Sequence, residues 1–260
     1  MSEKNSLLNL VKETNLKKRC LIMEIGEIIG DAIKYPLNNM KALLVYIVLS
    51  IIAALVIGFT GAGALGATKT TGALSGGLTA FAVIGFIIAL CVYLLIEGFM
   101  LDVIKFGINK DDGAPGIDIT RQIINGIKYI IVTIVYFIIP IILYALLAKM
   151  GAIGAIISLI IFIVFALAFL MGVCRLAETE SLGTALNIPE AVKDISKVGF
   201  VKILAIIIVT IVLALILGMI VSIFGTDGFI GLIGAIINAI CTTYLLFFTN
   251  RAIGLAYSDA

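Results

Sequence analysis

The feature that most constrains the fold is a series of six apolar runs, each about long enough to cross a lipid bilayer. A helix rises about 1.5 Å per residue, so roughly 20 residues span the ~30 Å hydrocarbon layer. The runs lie at residues 42–59, 77–101, 129–147, 151–174, 201–224 and 229–248. They predict an all-α fold, a polytopic membrane helical bundle with six transmembrane helices.

Composition agrees with that prediction and limits what else the chain can contain. Hydrophobic residues make up 62% of the 260 residues and charged residues 13%, against about 45–50% and about 25% in soluble domains. The spans and their connections occupy 21–260, which predicts a single membrane domain after a polar cytoplasmic tail at 1–20. The net charge of +2 is too small to favour a nucleic-acid partner, so the expected partner is the lipid bilayer.

A segment with one apolar helical face precedes three of the six runs. At 118–128 the apolar side chains recur at helical spacing and oppose the polar ones, a pattern typical of a helix lying at a membrane interface. Similar patterns occur at 21–35 and 189–198. This repetition predicts three helical hairpins, each preceded by a cytoplasmic amphipathic interfacial helix, and therefore an internal threefold repeat.

Residues that interrupt helices mark the expected connections. We expect Pro36 to stop the first interfacial helix, because proline lacks a backbone N–H and its ring clashes with the preceding turn. The segment 60–76 is rich in Gly, Ala and Thr, which favours an external loop. Only residues 148–150 separate the third run from the fourth, and so short a connection predicts antiparallel neighbours.

The distribution of positive charge predicts the orientation. When loops are assigned by alternation, all but two of the 18 Lys and Arg residues lie on the side of the N-terminus, and the exceptions are Lys69 and Lys149. Cytoplasmic loops of membrane proteins carry the excess of Lys and Arg. The chain is therefore expected to be a multi-pass protein of the cell membrane with both termini in the cytoplasm.

Four charged residues at the cytoplasmic ends of even-numbered spans form the candidate site, namely Glu97, Asp102, Arg175 and Arg251. In one interpretation a carboxylate pairs with an arginine, and the cluster closes the bundle or binds anionic lipid head groups. In the other, the side chains snorkel separately to the interface. Glu97 is the most deeply placed carboxylate, and charges within hydrocarbon are costly and often functional. An ion-paired structural role and a solute or proton role both stay open for it.

Polar residues also occur inside the third and sixth runs. They are Thr133, Tyr136, Asn238, Thr242, Thr243 and Tyr244. Such side chains either line a polar cavity or form hydrogen bonds between helices.

The residues on which most catalytic and metal sites depend are scarce in this sequence. There is no histidine, and the four cysteines are far apart with no CxxC pair. The sequence therefore predicts no catalytic, cofactor-binding or metal-binding residues, and a protein that is not an enzyme. The leading prediction is a non-catalytic protein that organises the membrane or binds other membrane proteins. The alternative is a transporter of a small solute or lipid, which repeated hairpins favour.

Several short motifs resemble those of a known family. They are Lys-Tyr-Pro at 34–36 with Lys41, Gly-Phe-Met-Leu-Asp-Val-Ile at 98–104, Gly-Ala-Pro at 113–115, Gly-Ile-Lys at 126–128, Tyr136 and Pro140. This set resembles prokaryotic integral membrane proteins grouped as domain of unknown function 4013, from about Ile33 onward. The resemblance implies a membrane location and a similar six-span layout, and it implies no activity.

Overall fold

The computed structural model describes residues 23–71, 76–224 and 228–260. Over these ranges the chain forms nine α-helices and one short 3-10 helix, with no strand. In chain order the α-helices are α1 (Ile25–Asn38), α2 (Met40–Thr71), α3 (Gly76–Ile108), α4 (Ile119–Leu147), α5 (Gly151–Thr179), α6 (Leu182–Ala185), α7 (Ile188–Val198), α8 (Phe200–Ser222) and α9 (Gly228–Tyr257).

Within these described ranges, five stretches are long and apolar enough to cross a membrane, judged by length and composition. They are Met40–Gly58, Ala82–Ile108, Ile119–Thr179, Phe200–Ser222 and Ile230–Tyr257. The 61 residues of Ile119–Thr179 contain both α4 and α5. The fold is therefore all-α and compatible with a multi-pass membrane protein, in agreement with the composition.

A tight turn separates α4 from α5. A 3-10 helix occupies Ala148–Met150, and Gly151 follows it with φ of +61°, a conformation that glycine adopts without steric cost. The two helices then pack against each other, with the rings of Phe137 and Phe162 5.6 Å apart. This turn divides the longest apolar stretch into two helices of 29 residues each.

Three of the long helices, α3, α5 and α9, each contact the other two, and we call them the inner helices. Helix α2 packs against α3 and α9, α4 packs against α3 and α5, and α8 packs against α9. The short helices α1 and α7 pack against α9 and α5 respectively. Most fully buried side chains lie at the end of the bundle where α1 and α7 pack.

Glycines set the closest helix contacts. A Cβ added at Gly98 of α3 would overlap the backbone of Gln122 in α4, and one added at Gly126 would overlap the backbone of Leu94. Small residues of this kind let helices approach to backbone distance, which is how many membrane helices associate. Helices α3 and α4 are therefore in direct backbone contact over one full turn.

Three sequence expectations about helix bounds need correction. Helix α1 continues through the buried Pro36 to Asn38, because a proline near the end of a helix removes few hydrogen bonds and its packing compensates. The segment 60–76, expected to be a loop, is helical through Thr71, since alanine is the strongest helix former and single glycines cost only about 1 kcal/mol each. The segment 118–128 is not a separate helix but the first part of α4.

The other expected elements agree with the structure to different extents. The segments expected at 21–35 and 189–198 correspond to α1 and α7. Helices α3 and α9 extend seven and nine residues beyond the predicted ends of their apolar runs. The predicted tail at 1–20 lies outside the described residues, as do residues 225–227 between the fifth and sixth predicted runs.

The α3–α4 contact predicts the effect of a single methyl group. We expect Gly98→Ala to lower the unfolding free energy by about 1–3 kcal/mol, because the added methyl must displace backbone. The matched control is Gly30→Ala in α1, where an added Cβ meets nothing within 4 Å, and we expect a gain of about 0.5–1 kcal/mol. Thermal unfolding of both variants in detergent measures the difference, and equal midpoints would contradict the contact.

Candidate functional site

Asp102 on α3 forms the first of three charged clusters. Its carboxylate accepts two hydrogen bonds from the guanidinium of Arg121, at 2.6 and 2.8 Å. A third comes from Gln122 Nε2 at 3.0 Å. Paired N–H groups of arginine match both oxygens of a carboxylate and give one of the stronger ion pairs in proteins. Since Asp102 is only 4% exposed, this pairing removes most of the cost of burying its charge.

Gln122 extends this cluster to a third helix and to the loop before α4. Its amide nitrogen also donates to the Gly116 carbonyl at 3.1 Å, and its amide oxygen accepts from Tyr46 of α2 at 3.2 Å. The Tyr46 ring stacks on Phe99 with centroids 4.0 Å apart. The buried amide therefore joins α2, α3 and α4 through hydrogen bonds that satisfy both of its polar atoms.

Arg251 on α9 forms the second cluster and is only 1% exposed. Its Nε donates to Asp31 Oδ1 of α1 at 2.7 Å, and its Nη2 donates to Asp112 Oδ1 at 3.1 Å. Its Nη1 donates to the Asp111 carbonyl. The guanidinium carbon lies 4.5 Å from the centroid of the Tyr35 ring, a cation–π arrangement. One side chain thus holds together α1, α9 and the loop after α3.

Tyr35 fixes the loop after α3 in a second way. Its hydroxyl donates to the Gly113 carbonyl at 2.9 Å. Burial raises the pKa of Tyr35 above its ordinary value, although the nearby Arg251 opposes that shift. The phenol therefore stays protonated at neutral pH and remains a hydrogen-bond donor.

The third cluster joins Arg175 of α5 to Asp194 of α7. Arg175 Nε lies 3.2 Å from Asp194 Oδ2, and Lys197 Nζ lies 2.7 Å from Asp194 Oδ1. Tyr257 of α9 donates to Asp194 Oδ2 at 3.2 Å. Asp194 is 1% exposed, so its charge depends on these partners.

Glu180 connects the first cluster to the end of α5. Lys105 Nζ donates to its carboxylate at 2.8 Å, and Arg121 Nη1 lies 3.8 Å from the same oxygen. The hydrogen bond from Lys105, together with the neighbouring positive charges, lowers the pKa of Glu180. Lys128 Nζ donates to the Glu180 carbonyl at 2.9 Å. Glu180 therefore stays ionised at neutral pH and links α3, α4 and α5.

The side chains that the sequence grouped as one candidate site have their ion-pair partners elsewhere in the part of the chain that the structure describes. Asp102, Arg175 and Arg251 each form an ion pair with a residue of a different helix. Among the ion pairs of the described residues, none joins Glu97 or Asp102 to Arg175 or Arg251.

Sequence reasoning missed the actual partners, which are Asp31, Arg121 and Asp194. In the sequence pattern all three residues lie on the polar faces of the amphipathic segments, and such faces are expected to contact solvent. For Asp194 a signal was present, because Ala191 and Val198 lie on the same helical face and all three are buried.

Of the four predicted site residues, Glu97 lines a cavity in the described part of the chain. The cavity has a volume of about 240 Å³ and lies between the inner helices, with α4 contributing one side chain. Its lining consists of Glu97, Ile104, Tyr129, Phe169, Leu170, Val173, Thr242, Leu245, Leu246, Thr249, Asn250 and Ile253. The Tyr93 hydroxyl lies close enough to interact with the Glu97 carboxylate. We call this space the Glu97 cavity.

The polar residues predicted inside the spans divide between the two expected roles. Thr242 lines the Glu97 cavity. Thr243 shares a hydrogen bond of 3.0 Å with Ser50 of α2, and Tyr244 donates to the Ile33 carbonyl of α1 at 2.9 Å. Tyr136 donates to the Ala185 carbonyl at 2.9 Å. Three of these six residues thus connect helices, one faces the cavity, and Thr133 donates to the Tyr129 carbonyl within its own helix.

The described residues contain no group of three or more His, Cys, Asp or Glu side chains that could hold a metal ion. A sequence model of the family described as "Protein of unknown function (DUF4013)" matches residues 81–226, more than half of the chain. The match includes Glu97, Asp102 and Arg175 and ends before Arg251. Comparison with curated proteins and with solved structures finds no match.

The buried position of Arg251 predicts a large effect when its charge is removed. We expect Arg251→Met to destabilise the protein by about 3–5 kcal/mol, because Asp31 loses its partner. The matched control is Lys193→Met, which removes an exposed pair with Glu190 and should cost at most about 1 kcal/mol. Unfolding in detergent measures both. Adding Asp31→Asn to Arg251→Met should cost less than the sum of the single changes, and full additivity would contradict the pairing.

Proposed function

The chain belongs to the DUF4013 family, and we propose that it is a six-span integral membrane protein that binds a small solute in the Glu97 cavity. One observation carries the proposal: a carboxylate and several hydroxyl and amide groups face a cavity between the inner helices of an apolar bundle. Ligand sites in helical bundles are built in this way, from a few polar groups on facing helices within an apolar lining. The function is binding or transport of the solute, without catalysis.

The proposed topology has six spans, with both termini in the cytoplasm of a cell-membrane protein. The turn at Ala148–Met150 supports counting Ile119–Thr179 as two spans, since each of its helices is long enough to cross a bilayer. The division of Lys and Arg residues between the two sides supports the orientation. In this arrangement the three charged clusters lie near the cytoplasmic surface.

A threefold repeat of hairpins is part of the proposal, and the ion pairs support it. Asp102 on α3 pairs with the start of α4, and Arg175 on α5 pairs with α7. Arg251 on α9 pairs with α1, at the beginning of the chain. Each inner helix thus pairs with the surface segment of the following repeat, and the last pairs with the first. The buried residues Ile28, Ala32 and Tyr35 of α1 share one face, as expected for an interfacial amphipathic helix.

The polar groups of the cavity favour binding over chemistry. Its lining contains one carboxylate, Glu97, and the hydroxyls of Tyr129, Thr242 and Thr249. A hydrolytic site needs a nucleophile beside a base, paired carboxylates or a metal, and the lining offers a single carboxylate. A role in organising membrane partners or binding anionic lipid head groups remains the alternative, and it is the result expected if no solute binds.

Sidedness of labelling tests the topology. In a variant without native cysteines, cysteine replaces Lys149 in the turn between α4 and α5 or Lys193 on α7, both of which are exposed. We expect an impermeant maleimide to label the two positions from opposite sides of sealed vesicles, with position 193 on the cytoplasmic side. Labelling of both positions from the same side would refute the six-span layout.

Thermal stability in detergent tests solute binding. We expect at least one class among small organic cations, anions and neutral polar solutes to stabilise the wild-type protein, by about 2.7 kcal/mol at 100 times its dissociation constant. Thr249→Phe should fill part of the cavity and weaken the effect. The matched control is Thr120→Phe at an exposed position at the start of α4, and it should retain the effect. If no class stabilises the wild type, solute binding is refuted.

A further inference from the structure

We infer that the Glu97 cavity takes a small organic monocation with apolar substituents, such as a quaternary ammonium compound. This inference rests on the proposed function, because it assigns a chemical class to the solute of the same cavity. Three features carry it: the charge of the lining, the ion pairs that the protein's basic side chains form with other acids, and the aromatic rings that line the cavity with Glu97.

The cavity lining has one ionisable carboxylate and no basic side chain. Its twelve lining residues include Glu97 and no Lys or Arg, and the chain has no histidine. Glu97 takes part in none of the ion pairs found among the described residues, and the Tyr93 side chain that interacts with it is a neutral phenol. A carboxylate in an apolar bundle is stabilised either by a proton or by a cation. The cavity therefore favours a positively charged occupant over an anion.

Four basic side chains of the protein are ion-paired with other acids, and a fifth, Lys128, donates to Asn125 and to the Glu180 carbonyl. Arg121 is held by Asp102, Arg175 by Asp194, and Arg251 by Asp31 and Asp112. Lys105 pairs with Glu180. Moving any of these four ion-paired side chains to Glu97 would leave a buried or half-buried carboxylate without its partner, which is strongly unfavourable. When Glu97 is ionised, the cation that balances it is therefore expected to come from outside the chain.

The remaining lining selects an organic cation over a metal ion. Tyr129 and Phe169 both line the cavity, with ring centroids 5.9 Å apart and planes inclined by 59°. Aromatic rings that line the same cavity as a carboxylate offer the ring faces on which proteins hold quaternary ammonium groups. Calcium needs about six to eight oxygen ligands and magnesium six, whereas most of this lining is Ile, Leu, Val and Phe.

The size of the cavity and two polar side chains of α9 restrict the ligand further. A volume of about 240 Å³ is below the roughly 300–1,000 Å³ typical of pockets for drug-sized ligands, so the cation is small. Asn250 donates its amide N–H to the Leu246 carbonyl at 2.8 Å, which leaves its amide oxygen free to accept a hydrogen bond. Together with Thr249, the residue before it in α9, it can bind a hydroxyl group on the ligand.

Choline and its neutral carbon isostere, 3,3-dimethylbutan-1-ol, test the charge requirement directly. They have the same shape and the same hydroxyl group and differ in the positive charge. We expect choline to raise the unfolding temperature of the full chain in detergent. The alcohol should need at least about a tenfold higher concentration for the same rise, which corresponds to about 1.4 kcal/mol of binding free energy. Glu97→Gln should remove the preference for choline. The matched control Glu178→Gln changes an exposed carboxylate outside the cavity and should keep it.

A second variant keeps the test decisive if Glu97→Gln does not fold. Phe169→Leu preserves an apolar side chain and removes one ring, so it should weaken choline binding and leave binding of the alcohol unchanged.

Equal effects of choline and the alcohol, or a choline preference that persists in Glu97→Gln, would overturn the cation assignment while solute binding stands. If neither probe acts but an anion or another neutral solute does, the assignment is again wrong and the proposed function survives. If no solute stabilises the protein, both the cation assignment and the proposed function are wrong.

Discussion

The close contact of α3 and α4 is the interaction on which the rest of the structure depends. Gly98 and Gly126 carry no side chain at the points where the backbone of the other helix passes. Within a membrane, lipid is as apolar as leucine, so close packing of this kind holds helices together where hydrophobic burial cannot. The contact also fixes the register that places Gln122 against Asp102. A shift of one residue would turn that amide about 100° around the helix axis.

Charged side chains have two different kinds of surroundings in the bundle. At one end, every inner helix carries a charged residue whose partner lies on another element, and these pairs join α1, α4 and α7 to the inner helices. The low exposure of Asp194 and Arg251 means that such pairs define which helices neighbour each other. Glu97 departs from this arrangement, since it faces a cavity instead of a basic side chain. That contrast separates residues that build the bundle from the residue available to a ligand.

Much of the fold could be predicted from the sequence, whereas the pairing could not. The all-α class, the turn near Gly151 and the family follow from long apolar runs, a three-residue connection and short motifs. The helical segment up to Thr71 was missed because its small residues suit a loop as well as a helix. The partners of Asp102 and Arg251 depend on which helix faces which, information that periodicity does not contain. The cavity could not be predicted for the same reason, since its lining residues come from four separate helices.

The pair formed by Arg251 and Asp31 has a consequence for biosynthesis. These residues are 220 positions apart in the chain, and ribosomes add about 5–20 residues per second. Asp31 and the Tyr35 ring therefore emerge roughly 10 to 45 s before the guanidinium that completes their surroundings. During that interval α1 has no α9 to pack against, and the Asp31 carboxylate lacks the guanidinium that pairs with it in the folded protein.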